Sequence, residues 1–122
     1  MKIFVAHSSQ FDFKNKLYPV LRESSLNTDH QILLPQENDS KDEITLEMIK
    51  SCDVLVAEVS APSLGAGIEI GWANALKIPV IAIYERGTQP SFSIDNAVDY
   101  RVEYGDEDDL VSKLKDVLVS IK

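Results

Sequence analysis

Cysteine is almost missing from this chain, since Cys52 is the only one among its 122 residues. A single cysteine excludes an internal disulfide and fits a reducing compartment, so we expect a cytoplasmic protein. Cys52 comes directly before an apolar strand and has no base beside it in the sequence. That setting favours a small buried side chain over a catalytic nucleophile.

Basic residues are also scarce, with 12 Lys and Arg against 20 Asp and Glu, for a formal net charge of -8. Binding a nucleic-acid polymer or an anionic membrane surface needs the opposite sign of charge. No apolar run approaches the ~20 residues of a membrane helix, and no basic segment precedes the first apolar run, so we expect neither a membrane span nor a signal peptide. A small anionic substrate stays open, because backbone N–H groups at a helix start bind phosphate without Lys or Arg.

Sequence motifs for binding a metal ion or a dinucleotide are missing as well. No group of Cys and His residues has the spacing of a metal site, and no G-x-G-x-x-G segment follows the first strand. Such motifs hold structural or catalytic metals and dinucleotides respectively. We therefore expect no metal and no cofactor.

Strand and helix patterns alternate along the whole chain. Residues 1–122 suffice for one hydrophobic core and contain no linker or repeat, which predicts a single domain. Alternation of this kind predicts a three-layer α/β sandwich, with helices on both faces of a five-stranded parallel sheet in a flavodoxin-like or Rossmann-like order, 2-1-3-4-5. The predicted strands are Lys2–Ala6, Gln31–Leu34, Asp53–Val59, Pro79–Tyr84 and Val98–Glu103, and the predicted helices are about Phe11–Glu23 (distorted at Pro19), Asp42–Ser51, Leu64–Lys77 and the segment after Gly105.

The segment from Ser51 to Tyr84 reads as an apolar strand, a Ser/Pro/Gly loop, a helix and a second apolar strand. It places Glu69 near a helix N-terminus at the carboxyl edge of the sheet, where open α/β folds bind ligands. Ser63 is a suitable N-cap, and Gly65 and Gly67 each cost ~1 kcal/mol relative to Ala inside a helix. Either a ligand approaches this backbone closely, or a neighbouring strand does.

Glu69 lies one turn beyond Gly65, and helix side chains lean toward the N-terminus. We expect the positive helix end to keep its carboxylate ionised. An ionised carboxylate beside an anion-binding loop suits attack on an electrophilic carbon, such as the anomeric carbon of a sugar. The structural alternative is that the glycines only permit tight packing and Glu69 caps the loop. The residues alone leave both interpretations open.

The strand DVLVAEV, followed two residues later by PSLGAGIEIG, resembles the nucleoside 2-deoxyribosyltransferase family, and within it the 2'-deoxynucleoside 5'-monophosphate N-glycosidases. The similarity is strong from Cys52 to Tyr84 and continues weakly toward both ends. It implies that Glu69 attacks C1' of the sugar and displaces the base, and that water or a second base resolves the covalent glycosyl-enzyme. The substrate would be a nucleoside or nucleotide.

The resemblance also implies where the rest of the substrate lies. Ser63 and Gly65 match residues that hold the 5'-phosphate, and Ser93 matches a serine that reaches the phosphate from the neighbouring subunit. The implied assembly is a homodimer with a shared active site. Ser8 matches a serine of the family's first loop, where His7 and Gln10 replace a glycine and an arginine.

Loss of that arginine makes a nucleoside, or another conjugate of a sugar with a base, more plausible as the substrate. His7 lies on the correct rim for contact with the base or the phosphate. The family's proton-donating aspartate falls on Thr45, so the candidate proton donors are Asp42, one turn earlier, and Glu58 at the end of the third strand. For Glu58 we favour a surface carboxylate.

A second resemblance competes with the first. The opening IFVAHSS and the SCD before the third strand are similar to TIR domains, some of which cleave the glycosidic bond of NAD with a glutamate in the place of Glu69. The segment from Ser60 to Glu69 lacks the Ser-x-Trp pattern of those domains, so this interpretation ranks second. A third is a non-catalytic module that senses nucleotides or binds proteins through the same cleft.

Overall fold

The computed structural model describes residues 1–37 and 45–121. The strands are β1 (Lys2–His7), β2 (Gln31–Leu33), β3 (Val54–Glu58), β4 (Val80–Glu85) and β5 (Tyr100–Tyr104). The helices are α1 (Phe13–Lys16), α2 (Tyr18–Arg22), α3 (Ser25–Asp29), α4 (Thr45–Lys50), α5 (Leu64–Ala75) and α6 (Glu107–Ser120), and a 3-10 helix covers Phe92–Ala97. The strands form one parallel sheet in the order β2-β1-β3-β4-β5, which confirms the predicted fold.

The sheet is buried on both faces, as apolar parallel strands require. Alternate residues of β1 show this, because Ile3 and Val5 pack into the core under α1, α2, α3 and α6, whereas Phe4 and Ala6 pack into the core under α4 and α5. The edge strand β5 alternates between buried and exposed residues, as its sequence predicts.

The strand register places the loops after β1, β2 and β3 at the carboxyl edge of the sheet. His7 at the end of β1 pairs with Glu58 at the end of β3, and Glu58 pairs with Ile83 of β4. The loops that follow β1, β2 and β3 therefore leave the sheet side by side. The loop after β3 leads directly into α5, whose N-terminus lies at this carboxyl edge.

The predicted helix Phe11–Glu23 is broken into α1 and α2, and α3 follows without a counterpart in the prediction. Leu17, between α1 and α2, has φ -124° and ψ -60° and leaves the helical path. Pro19 lies two residues later and has no backbone N–H, so it cannot donate the hydrogen bond that one continuous helix requires at this position. Ser24 then caps α3 by accepting a hydrogen bond from the N–H of Leu26.

The acidic cluster at the start of α6 is a cap. Asp106 accepts a hydrogen bond from the N–H of Asp109 at 2.8 Å, and Asp109 accepts one from the N–H of Gly105 at 2.8 Å. Negative charge in the first turn also suits the helix dipole.

Candidate active site

A cleft of about 370 Å³ opens at the carboxyl edge of the sheet. Its volume falls in the range of small-ligand sites. Its walls come from the end of β1, the loops after β1, β2 and β3, the start of α4, and α5; they include His7, Ser9, Gln36, Thr45, Ser63, Gly65, Glu69 and Trp72. A cavity of about 500 Å³ also lies against α6, but its walls carry Glu23, Glu107 and Asp108 and none of the predicted site residues.

Ser63 is the N-cap of α5, as predicted. It has extended backbone geometry (φ -152°, ψ 124°), and its Oγ accepts a hydrogen bond from the N–H of Ala66 at 3.1 Å. The N–H of Gly67 makes the first helical bond, to the carbonyl of Ser63. The N–H groups of Leu64 and Gly65 precede that bond and can donate to a ligand, as can the hydroxyl hydrogen of Ser63.

Glu69 lies in the second turn of α5 and is half-buried in the cleft wall. Burial raises the pKa of its carboxyl from the usual 4.5 to about 7. The expectation that the helix end keeps Glu69 ionised is therefore wrong near neutral pH, where both protonation states coexist. The physical reason is position, because the dipole acts mainly within the first turn and Glu69 is six residues past the N-cap.

The glycines of α5 are not required by packing within the chain. A Cβ added to Gly65 would meet only the Oγ of Ser63, at 3.9 Å, and a Cβ on Gly67 or Gly71 would meet nothing within 4 Å. The structural alternative of tight helix–strand packing is therefore wrong. The space beside these residues is open to a ligand or to another chain.

His7 lies in the cleft wall, but its ring nitrogens already have partners. Nδ1 is 3.0 Å from the carbonyl oxygen of Ser8, and Nε2 is 2.6 Å from the hydroxyl of Tyr18. The contact between His7 and Tyr18 depends on the break between α1 and α2, which the sequence pattern does not predict. Ser8 is buried and its Oγ accepts a hydrogen bond from the N–H of Gln10, whereas Ser9 lines the cleft.

Ser93 lies outside the cleft that contains Glu69 of the same chain. It is exposed on the 3-10 helix and lines a second cavity of about 520 Å³, together with Leu64, Gly67 and Ile68 of α5. The two cavities share Ser63, Ala66 and Ile68 in their walls. Ser93 is thus beside the cleft and on the surface, where a second chain can meet it.

Glu58 is buried, with 1% of its surface exposed, so the preferred interpretation as a surface carboxylate is wrong. It accepts hydrogen bonds from the hydroxyl of Tyr104 and from the N–H of Ser60 at 2.5 Å. Burial raises the pKa of Glu58, and these hydrogen bonds oppose that shift. Because side chains alternate along a strand, Glu58 lies on the same sheet face as Val54 and Val56, which is the face opposite α5. Glu58 does not line the Glu69 cleft.

Thr45 and Asp42 are the other two positions that bear on the proton donor. Thr45, the position that the resemblance matches to the family's aspartate, lines the cleft, and a threonine hydroxyl is not acidic enough to protonate a leaving base. Asp42 lies outside the described residues.

Among residues 1–37 and 45–121, a metal-ligand cluster, a reactive cysteine or a long apolar helix would each be a sign of another function. Residues 1–37 and 45–121 contain no group of three His, Cys, Asp or Glu side chains placed to hold a metal ion. Cys52 is buried, as predicted, and burial raises the pKa of its thiol to about 11, so the reactive thiolate is disfavoured. In the same ranges, no helix combines the length and apolar character that crossing a bilayer requires.

Comparison with known proteins decides the family. The sequence profile described as nucleoside 2-deoxyribosyltransferase matches residues 3–107, which is most of the chain. The chain belongs to the nucleoside 2-deoxyribosyltransferase family.

Individual members of this family agree with that assignment. A protein of Syntrophotalea carbinolica, provisionally named 2'-deoxynucleoside 5'-phosphate N-hydrolase 1, is 40% identical over 73 residues, which cover 57% of this chain and 51% of that protein. A protein of Thermofilum pendens with the same provisional name is 35% identical over 91 residues, which cover 70% of this chain and 62% of that protein. The matches thus span about half to three fifths of the length of these relatives.

A solved structure shows the same fold. The CMP N-glycosidase of Clostridium botulinum superimposes with a TM-score of 0.67 and 24% identity, and the match covers 94% of this chain and 99% of that one.

Proposed function

We propose that this member of the family cleaves or transfers at the N-glycosidic bond of a nucleoside or nucleoside 5'-monophosphate, with Glu69 as the nucleophile. The observation that carries the proposal is the position of Glu69, a half-buried carboxylate in a cleft beside the open N-terminus of α5. The family and the names of two relatives support the same type of bond.

The reaction takes two steps. An ionised Glu69 oxygen bonds to C1' of the sugar while the C1'–N bond breaks. The electron pair of the C1'–N bond leaves with the base, which takes up a proton. Water, or an N–H nitrogen of a second base, then bonds to C1' and gives up a proton, which replaces the one taken up by the departing base, while the C1'–O bond breaks and the Glu69 carboxylate is released. Hydrolysis and transfer differ only in this second nucleophile. Asp42, one turn before the matching position Thr45, remains the proposed proton donor if its helix is shifted relative to the family, and we assign no proton transfer to Glu58.

The 5' end of the substrate lies at the Ser63–Gly65 turn in this proposal. The N–H groups of Leu64 and Gly65 and the hydroxyl of Ser63 can bind either a phosphate or a 5'-hydroxyl. Among the described residues, no Lys or Arg lines the cleft. Phosphate binding would therefore depend on the helix terminus and hydroxyl groups, and an uncharged nucleoside fits the same turn.

A homodimer completes the site. Leu64 is 85% exposed and Ile68 is 47% exposed, and both lie on the face of α5 that borders Ser93. A two-fold dimer through this face would cover both side chains and bring Ser93 of one protomer toward the cleft of its partner. The open space beside Gly67 and Gly71 lets a second backbone approach closely.

The proposed dimer predicts that substitutions at two similarly exposed residues, Leu64 and Val119, differ in their effect on assembly and activity. Leu64→Glu places a charge in the proposed interface and is expected to yield monomers without base release, because the partner's serine is lost. Val119→Glu changes a residue that is 81% exposed on α6, away from that face, and should leave both properties unchanged. Light scattering and activity are measured together; a fully active monomeric wild type would contradict the shared site.

The direct test of the function is the release of free base. The purified protein is incubated with deoxynucleosides, ribonucleosides, their 5'-monophosphates and NAD, and free bases are separated by chromatography. A second base added in excess distinguishes transfer from hydrolysis. Release from nucleosides or monophosphates is expected; release from NAD alone would favour a TIR-like activity, and binding without release would favour a sensing module. The buried thiol of Cys52 suits the cytoplasm, which is where we place the reaction.

A further inference from the structure

The hydroxyl of Tyr18 is a buried junction between two walls of the cleft. It lies 2.6 Å from Nε2 of His7 and accepts a hydrogen bond from the N–H of Gln36 at 3.2 Å. Tyr18 itself is 6% exposed and does not line the cleft. His7 and Gln36 do line it, together with Glu69.

The hydrogen-bond roles in this junction are fixed by chemistry. The carbonyl oxygen of Ser8 can only accept, so Nδ1 of His7 carries the hydrogen and donates to it. In a neutral imidazole the other nitrogen is then an acceptor, so Tyr18 donates to Nε2 and its oxygen accepts from Gln36. Burial lowers the pKa of His7 and raises that of Tyr18 to about 12, which keeps both groups neutral near pH 7.

The junction also fixes the plane of the His7 ring. The ring lies against Phe13, with centroids 4.2 Å apart, and meets Tyr18 edge-on at 5.2 Å. His7 comes from the end of β1, whereas Gln36 comes from the loop after β2, and one hydroxyl holds both. A binding wall that is ordered before the substrate arrives avoids the entropy cost of ordering it on binding.

We propose that Tyr18 is a positioning residue for substrate binding, because its hydroxyl holds the His7 ring in place through Nε2 and ties Gln36 to the same wall of the Glu69 cleft. This role rests on the proposed function, since it concerns the same site. In this arrangement His7 forms a rigid, uncharged part of the cleft wall, and other groups make the polar contacts with the substrate.

Tyr18→Phe keeps the aromatic ring and removes only the hydroxyl. We expect KM for the nucleoside or monophosphate that the wild type cleaves to rise about fivefold to tenfold, the equivalent of one hydrogen bond, with kcat changed less than about threefold. Tyr104→Phe is the matched control, because it removes a buried tyrosine hydroxyl that binds Glu58 away from the cleft. The control should lose stability without a change in KM.

Nitrogen NMR of the His7 ring tests the same proposal without turnover. In the wild type we expect Nδ1 to be protonated and Nε2 to be a hydrogen-bonded acceptor, and in Tyr18→Phe we expect the Nε2 signal to move because Nε2 loses its hydrogen-bond donor. A wild type with hydrogen on Nε2, or a Tyr18→Phe variant with unchanged ring signals and unchanged KM, would overturn the proposal. If the wild type releases no base, the proposed function fails, and the ring signals still show whether the hydroxyl fixes the wall.

Discussion

Glu69→Gln is expected to lower the rate of base release by at least about a thousandfold, as is usual when the nucleophile of a covalent mechanism is removed. The amide has nearly the size of the carboxyl group but cannot form the bond to C1'. Substrate binding at the Ser63–Gly65 turn should persist, because the groups that bind there are unchanged. Single-turnover assays and equilibrium binding on the same samples measure both. A variant that retains a tenth of the wild-type rate would exclude Glu69 as the nucleophile.

The same substitution is expected to stabilise the fold at pH 8. Because burial raises the folded-state pKa of Glu69 to about 7, above its usual 4.5, the free energy of unfolding of the wild type falls as the pH rises between these values. Gln does not titrate, so Glu69→Gln should gain about 1 to 3 kcal/mol above pH 7 and lose this advantage below pH 4.5. Urea unfolding at pH 4 and pH 8 measures the difference; Glu103→Gln, at an exposed position, is the control and should stay within about 0.5 kcal/mol of the wild type.

The pH dependence of turnover is the second large expected effect. Only the ionised form of Glu69 attacks C1', and its carboxyl has a pKa of about 7. We therefore expect kcat/KM to fall about fiftyfold from pH 7 to pH 5, with a slope that approaches tenfold per pH unit below about pH 6, and to level off above about pH 8.

Initial rates at low substrate concentration, measured between pH 5 and pH 9, give the fall of kcat/KM at acidic pH. Circular dichroism at each pH separates loss of activity from loss of fold. A folded protein whose kcat/KM stays constant from pH 5 to pH 8 would show that no carboxyl group with a pKa near 7 controls the reaction.

The features that the sequence predicted are those set by local pattern. Strands such as β1 and β3 are apolar on both sides, and only a parallel sheet covered on both faces buries them. The strand order follows once helices alternate with strands. The position of Glu69 was predictable in the same way, since Ser63 marks the start of α5 and the spacing from the cap fixes the turn on which the carboxylate lies.

The features that the sequence did not predict depend on contacts between distant residues. The burial of Glu58 requires the hydroxyl of Tyr104, 46 positions later, and nothing near Glu58 in the chain indicates that partner. The junction at Tyr18 requires a break at Leu17, where the apolar spacing reads as one helix. The protonation of Glu69 depends on how much water the surrounding side chains exclude, which spacing along the chain does not determine.

The most direct test of the central claim is the mass of the sugar-bound enzyme. A nucleoside whose sugar carries fluorine at C2' slows the breakdown of a glycosyl-enzyme, because the fluorine destabilises its oxocarbenium-like transition state. Peptide mapping by mass spectrometry after incubation should find one fluorosugar on the peptide that contains Glu69, and none on the Glu69→Gln variant. Release of the base from that probe without a sugar on Glu69, or with a sugar on another residue, would contradict the account.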